Sequence, residues 1–295
     1  VQRPSVSVIV PFAGTDAELD RVIETLKSLE LRAGDEILVA DNRDTPRAGR
    51  HQGVRVIDAS GIRTPAFARN MAASRAHGDW LVFIDADTEP ASSLLDGYFS
   101  QPPPPRCGVL AGRIVDVAPS TSATARHGVA RARLSESATV QRDGRPYAQT
   151  ANCAVRRSAF DHVGGFVPYA RAGEDADLCF RLADAGFTLE LRSGAVVRHR
   201  SRDSVAQYAL QLARHGSGAA WVNRRHAGAF PPPSPSRMAR RVARNAADAL
   251  GAVRAHDNQA AAFAALDALG ALAFELGRLL PNRRRERRLR RRVTG

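Results

Sequence analysis

The sequence predicts an α/β fold, with a mainly parallel sheet flanked by helices and a helical extension at the C-terminus. Three observations predict it. Short β-branched runs alternate with stretches of helical spacing between residues 6 and 90. Beyond residue 205 only helical patterning remains, interrupted by the proline-rich "PPPSPS" at 231–236. The charge changes at the same place: residues 1–200 hold 25 Lys+Arg against 24 Asp+Glu, and residues 201–295 hold 18 Arg against 6 acids. We therefore expect one domain over 1–205 and an extension over 206–295 that ends in the basic run "RRRERRLRRR".

"VSVIVP" (6–11) reads as a buried strand, a β-branched run that stops at a proline. Thr15 or Asp16 caps the next segment, where Leu19, Val22, Ile23, Leu26 and Leu29 recur at helical spacing. "DEILVADN" is a second strand and "GVRVIDA" a third. "PAFARNMAASRAHG" is a helix closed by Gly78, and "WLVFIDAD" a fourth strand. "GVLAGRIVDVA" is another strand, while 119–148 is polar and aperiodic and reads as a mobile or functional loop. "GEDADLCFRLADAGF" is a helix closed by Gly186, and "TLELRSGAVVRHR" supplies one or two further strands.

Within 259–280 the residues Asp267, Glu275 and Arg278 share one helical arc, and Leu266, Leu269, Leu272, Leu276, Leu279 and Leu280 take the opposite side. That pattern is amphipathic, so the helix is expected to lie on a surface rather than span a membrane.

Composition excludes several classes. The three cysteines lack C-x-x-C spacing and are too few for a disulfide framework, so reduced thiols in the cytoplasm are expected. No basic n-region precedes "SVSVIVP", so no signal peptide is expected. Lys27 is the only lysine, which leaves no room for a mechanism built on a second, catalytic or phosphate-binding lysine. The net charge of +13 raises nucleic acid as a partner, but the basic tail lacks interleaved aromatics and lies outside the sheet domain. An anionic membrane surface suits an arginine cluster beside an amphipathic helix better, which makes the inner face of the plasma membrane a candidate location.

The tripeptide Asp-Ala-Asp occurs at Asp85–Asp87 and again at Asp175–Asp177. The first follows a strand, where residues i and i+2 share a face, so Asp85 and Asp87 can converge beyond a carboxyl end, the usual ligand position in such sheets. Hard carboxylate oxygens there suit Mg²⁺ or Mn²⁺, and a turn before Pro90 is the plainer alternative. The second opens a helix, where i and i+2 diverge. Asp177 is placed to pair with Arg181 at i+4, and Asp175 either stabilises the helix dipole or projects into a cleft as a general base.

The ordered set "SVIVP", "VADN", "ARNMA", "GDWLVFIDADTEP", "TANCAVRRSAF", "GGF", "GEDADLCFRL" and "VVRH" resembles the family 2 glycosyltransferases, which have the GT-A fold. The resemblance covers roughly residues 5–200. It implies an inverting, metal-dependent enzyme that moves a sugar from a nucleoside-diphosphate donor to an acceptor hydroxyl. By position it implies that Pro11 lines the nucleotide pocket and that Asp41 contacts the nucleobase. Arg69 would approach the donor, Asp85 the ribose, and Ala86 would sit between the donor-binding acids. Asp87 and His199 would hold Mn²⁺ or Mg²⁺, and Asp175 would be the base. Glu174 and Asn152 would meet the acceptor, a lipid-linked glycan or a secondary metabolite among other classes. The pattern departs from the family at "PFAG", which lacks the usual aromatic-Asn, and at Ala72 or Ala73, where glycine is common. A sugar nucleotidyltransferase and a non-catalytic basic protein are the competing readings. The first lacks its glycine-rich loop here, and the second leaves the acids unexplained.

Overall fold

The computed structural model of the chain describes residues 3–132 and 134–283. The first half runs β1 (Val6–Phe12), α1 (Asp16–Leu26), β2 (Glu36–Asp41), β3 (Gly49–His51), β4 (Val54–Asp58) and α2 (Pro65–Ala73). Next come β5 (Trp80–Ile84), β6 (Thr88–Pro90), α3 (Leu94–Tyr98), β7 (Cys107–Val117), α4 (Ala123–Arg131) and α5 (Glu136–Thr139). The domain closes with β8 (Asn152–Arg156), α6 (Arg157–His162), α7 (Glu174–Asp184) and β9 (Thr188–Arg200). Three helices follow: α8 (Val205–Arg225), α9 (Pro235–Arg254) and α10 (Asn258–Gly277).

The strands form one sheet in the order β3-β4-β2-β1-β5-β8-β7-β9-β6. Period-two alternation sorts the core onto its two faces. Val6, Val8 and Val10 of β1 join Ile37 and Val39 of β2 on one side, with Leu19, Val22, Ile23 and Leu26 of α1. Ile9, Leu38, Leu81 and Phe83 point the other way, onto Ala66, Ala68, Ala72 and Ala73 of α2. The small residues of α2 let it sit close to the sheet, where the family more often has a glycine. Of the two expected caps, Thr15 is the one used, and it forms a full capping box with Glu18.

Several elements differ from expectation. The parallel character is confined to β1, β2, β4 and β5 and to the β7–β9 pair, whereas β3–β4, β5–β8, β7–β8 and β6–β9 are antiparallel, so the sheet is mixed. The 119–148 stretch contains α4, because Ser122 caps it and His127 packs edge-on to Tyr208 and Phe263, partners far away in sequence. α2 ends at Ala73 rather than Gly78. Gly78 is needed for another reason: a Cβ there would lie 2.4 Å from the backbone nitrogen of Ser7.

α10 is less amphipathic than expected, because alanines fill much of its charged arc, and the arrangement is turned the other way round. Its charged arc faces the protein: Asp267 meets His127 (3.0 Å) and Arg131, and Arg278 donates to the carbonyls of Phe230 and Pro231. Leu272, Leu276 and Leu279 face out, at 57%, 54% and 82% exposure, and Leu266 alone of the six leucines is fully buried. The glycines decide this. A Cβ on Gly277 would lie 2.0 Å from the Ala213 carbonyl, and one on Gly216 would lie 1.8 Å from that of Phe274, so α8 and α10 meet along a small-residue face.

The extension is also pinned to the sheet domain through Asp177. Asp177 is fully buried and takes Arg181 at i+4, as expected, but also Arg225 (2.7 Å) and His226 (3.1 Å) from the end of α8. Burial alone would raise its carboxyl, yet these cations hold it below the usual range. Asp177→Ala would strand two arginines and a histidine, so a loss of about 3 kcal/mol in urea unfolding is expected.

Candidate active site

A cleft of about 1540 Å³ opens beyond the carboxyl ends of β1, β2 and β5, the position where such sheets take ligands. Pro11, Phe12 and Asn42 follow from strand ends, Thr64 and Arg69 come from α2, and Glu174 and Asp175 from the first turn of α7. Gln211, Arg214 and His215 of α8 supply part of the wall, so the extension shares in the cleft.

Arg69 organises the acids. Thr64 caps α2 and Pro65 occupies its first turn, which sets Arg69 one turn in at 2% exposure. Its guanidinium donates to Glu174 Oε1 (2.9 Å) and to Asp85 Oδ1 (2.5 Å). Burial works against its charge, but Asp85 and Glu174 outweigh that and hold it protonated. Its Nε is buried with no hydrogen-bond partner among the described residues.

Glu174 is 6% exposed and already held by Arg69, so it acts on its neighbour by charge rather than by reaching for an acceptor. That neighbour is Asp175. Burial first, and repulsion from Glu174 second, push the Asp175 carboxyl up to about 7. Its Oδ1 accepts from the Ala176 backbone N–H (2.8 Å). Gly173, with φ of +77°, lets the chain turn into α7 so that these acids face the cleft.

Asp85, Ala86 and Asp87 form a turn rather than an extended end, because Thr88 N–H and its hydroxyl both bond the Asp85 carbonyl. The expected convergence of the two carboxylates is therefore corrected: Asp85 turns to Arg69, and Asp87 turns to His199 (3.8 Å) and Arg202 (3.0 Å). All three residues line the cleft. The sheet register brings His199 there, opposite Thr88 of β6 on one side and Asp116 of β7 on the other. His199 Nδ1 lies 2.8 Å from Asp116 Oδ1, which aims Nε2 at Asp87. Burial disfavours the imidazolium, but Asp116 and Asp87 raise its pKa above the ordinary value.

This donor set fits a divalent ion with two protein ligands. Ligands about 2.1 Å from one ion stand about 3–4 Å apart, the spacing found here. A carboxylate behind the histidine is the usual support for a metal-bound imidazole. Among the described residues no cluster of three or more His, Cys, Asp or Glu could hold an ion, so remaining positions would fall to donor phosphate and water.

Two expected contacts are corrected. Asp41 is fully buried below the cleft, where it takes Arg43 Nε (2.9 Å), Arg43 Nη2 (2.7 Å) and the Arg47 backbone N–H (2.9 Å). Burial would raise its carboxyl, but these donors lower it. Asp41 therefore positions Arg43, which lines the cleft near Phe12, instead of meeting a base itself. Asn152 is 1% exposed, accepts from Tyr98 Oη (2.6 Å) and donates to the Arg113 (2.9 Å) and Ala195 (2.8 Å) carbonyls. Its polar atoms are consumed in joining β8 to its neighbours, so it has nothing left for an acceptor. The turn at Gly164 and Gly165 has positive φ at both glycines, and Phe166 is in the core against Phe83.

Arg43, Asp116, Tyr147, Arg202 and Arg214 were not foreseen as cleft or supporting residues. Asp116 carries one faint signal, the single acid in a mostly apolar strand. The arginines carry none, since arginine is abundant throughout.

A family model described as "Glycosyl transferase family 2" matches residues 7–164. The chain belongs to glycosyltransferase family 2. Among curated proteins, the pre-mycofactocin glycosyltransferases of Mycobacterium tuberculosis strains CDC 1551 and H37Rv are each 27% identical over 225 residues, 75% of this chain and 48% of theirs. This family 2 chain thus spans about half the length of the curated relatives it matches. Among solved structures, the mannosyltransferase PcManGT from Pyrobaculum calidifontis, in complex with GDP-Man and Mn²⁺, superposes with a TM-score of 0.63 at 18% identity, covering 94% of this chain and 88% of that one. GalNAc-T7 with UDP, GalNAc and Mn²⁺ gives 0.50 at 14% identity, covering 79% and 53%. These likenesses show the GT-A fold. The nucleotidyltransferase and non-catalytic readings gain no support from them.

Proposed function

We propose that this chain moves a sugar from a nucleoside-diphosphate donor to an acceptor hydroxyl with inversion, using Asp175 as general base. The observation that carries this reading is the Asp175 carboxyl, raised to about 7 at the mouth of α7 in the shared cleft. A base with a pKa near the working pH is both ionised and able to take a proton. Its Oδ1 is held by Ala176 N–H, which leaves Oδ2 for the acceptor. The acceptor hydroxyl gives its proton to Asp175 as its oxygen bonds to the anomeric carbon. The bond from that carbon to the diphosphate oxygen breaks, and its electron pair leaves with the diphosphate.

Asp87 and His199 would hold Mn²⁺ or Mg²⁺, with Asp116 orienting His199. A bound divalent ion neutralises the leaving diphosphate. Arg69 pairs with Asp85 and Glu174 beside the donor site, and Pro11, Phe12 and Arg43 form the nucleotide side. We also propose that residues 1–205 are the transferase domain and 206–295 a helical extension whose α8 closes one wall of the cleft.

The likeness to the pre-mycofactocin glycosyltransferases makes a pre-mycofactocin-like acceptor the first to try. The complexes of the similar structures with GDP-Man and with UDP support testing both guanine and uracil donors. The test is thermal unfolding with GDP, UDP and dTDP, with and without Mn²⁺. A nucleotide at 100 times its Kd should add about 2.7 kcal/mol of stability, and most of that gain should need Mn²⁺. Asp87→Asn should lose the metal-dependent part. A shift of equal size without metal, or one unchanged in Asp87→Asn, would remove the metal assignment. The basic run at 283–292 was the expected membrane contact; all of it beyond Arg283 lies outside the described residues.

A further inference from the structure

We propose that the α9–α10 hairpin is a docking face for an anionic phospholipid bilayer. The idea stands apart from the transferase reading. Val242, Leu250 and Val253 of α9 are 56%, 57% and 61% exposed, and so are Leu272 and Leu276 of α10 and Leu279 just beyond it, at 57%, 54% and 82%. The two helices pack on each other, so one hairpin presents six large apolar side chains to the outside.

The pattern in α9 is not that of an ordinary surface helix. At about 100° per residue, Val242, Ala246, Leu250 and Val253 share one arc, and Arg237, Arg240, Arg241, Arg244 and Arg254 share the other. All five arginines are exposed, and Asp248 is the only acid in the helix. An apolar arc flanked by arginines on long stems is the arrangement that lies in a bilayer interface, with apolar groups among the acyl chains and guanidinium groups at the phosphates.

The charge selects the occupant. A second copy of this face would bring five arginines and one acid against the same set, a repulsive pairing. Anionic lipid is complementary to it. Spanning is a different matter, because Asn258–Gly277 is long and apolar enough to cross a membrane, with a mean hydropathy of 1.5. Crossing would strip Asp267 from His127 and Arg131, and would pull α10 from the close packing at Gly216 and Gly277. With those contacts kept, only the leucine arc is free to enter lipid, so the hairpin lies in the interface.

The test is co-sedimentation with vesicles of phosphatidylglycerol and phosphatidylcholine in equal parts, and with phosphatidylcholine alone. The full chain should pellet with the mixed vesicles only. Leu272→Ser/Leu276→Ser/Leu279→Ser should lower its partition coefficient by about tenfold or more, and Arg240→Glu/Arg244→Glu should do the same. Both variants should keep wild-type thermal unfolding, since the changed side chains are exposed. A protein lacking 284–295 should still show the leucine dependence, which separates the hairpin from the basic tail. Equal binding of the wild-type and triple-serine proteins would overturn the proposal. So would a wild-type dimer in solution that the triple-serine change converts to monomer, which would assign the face to a second copy.

Discussion

Asp175→Asn is expected to lower kcat by about 10²–10⁴-fold while leaving the Mn²⁺-dependent nucleotide stabilisation intact. The split follows from geometry. Asparagine keeps the acceptor atom for Ala176 N–H but cannot take a proton. In the wild type, kcat/KM should rise with pH and level off above about 7, the value to which burial and Glu174 push this carboxyl. The same residue predicts an opposite effect on stability. Its folded pKa lies above the ordinary 3.8, so between these values the folded state binds more protons than the unfolded one. Stability is therefore lost as pH rises through that window. Asparagine removes the loss. At pH 8 the variant should be the more stable by about 1–3 kcal/mol, and at pH 3.5 the two should match. A dead enzyme with unchanged stability at pH 8 would count against a buried carboxylate base.

Arg69→Met should be the most damaging substitution in the cleft. It removes the cation shared by Glu174 and Asp85, and the cost of stranding the buried Glu174 carboxylate is about 3–5 kcal/mol. Arg69 also opposes the rise of Asp175, so any residual activity should have its rising limb moved to higher pH. A merely structural role would not move that limb. Adding Glu174→Gln should restore part of the stability, because the second change removes an acid that the first left unpaired. Urea unfolding of the two single variants and the double variant measures this coupling.

Local pattern was enough to find the strands that end at Phe12, Asp41 and Ile84, the capped α1, and the helix that starts at Glu174. Each depends on neighbours within a few residues: β-branched runs, a capping box, a glycine at a helix end. The order of motifs was enough to name the family and to pick Asp85, Asp87, Asp175 and His199. What those residues touch was not legible. The two Asp-Ala-Asp tripeptides differ in geometry as expected, but the first forms a turn where a strand end was expected, and the second opens a helix. Yet the first pair parts, Asp85 to Arg69 and Asp87 to His199, because partners 16 and 112 positions away claim each carboxylate.

Asp41 and Asn152 mark the limit from the other side. Their positions in the motif order suggested ligand contacts, but burial and three-sided hydrogen bonding turned both into supports. In α10 the leucines and the charged residues were assigned to the right arcs, but the helix is apolar nearly all round and its direction was misread. A helical pattern says which residues share an arc; the close approach of Gly216 and Gly277 to the neighbouring backbone decides which arc is buried. The sequence by itself determined most of the elements, the family and which acids line the cleft. Tertiary structure decided the pairing of those acids, the raised carboxyl of Asp175 and the outward leucines, because each depends on contacts between segments far apart in the chain.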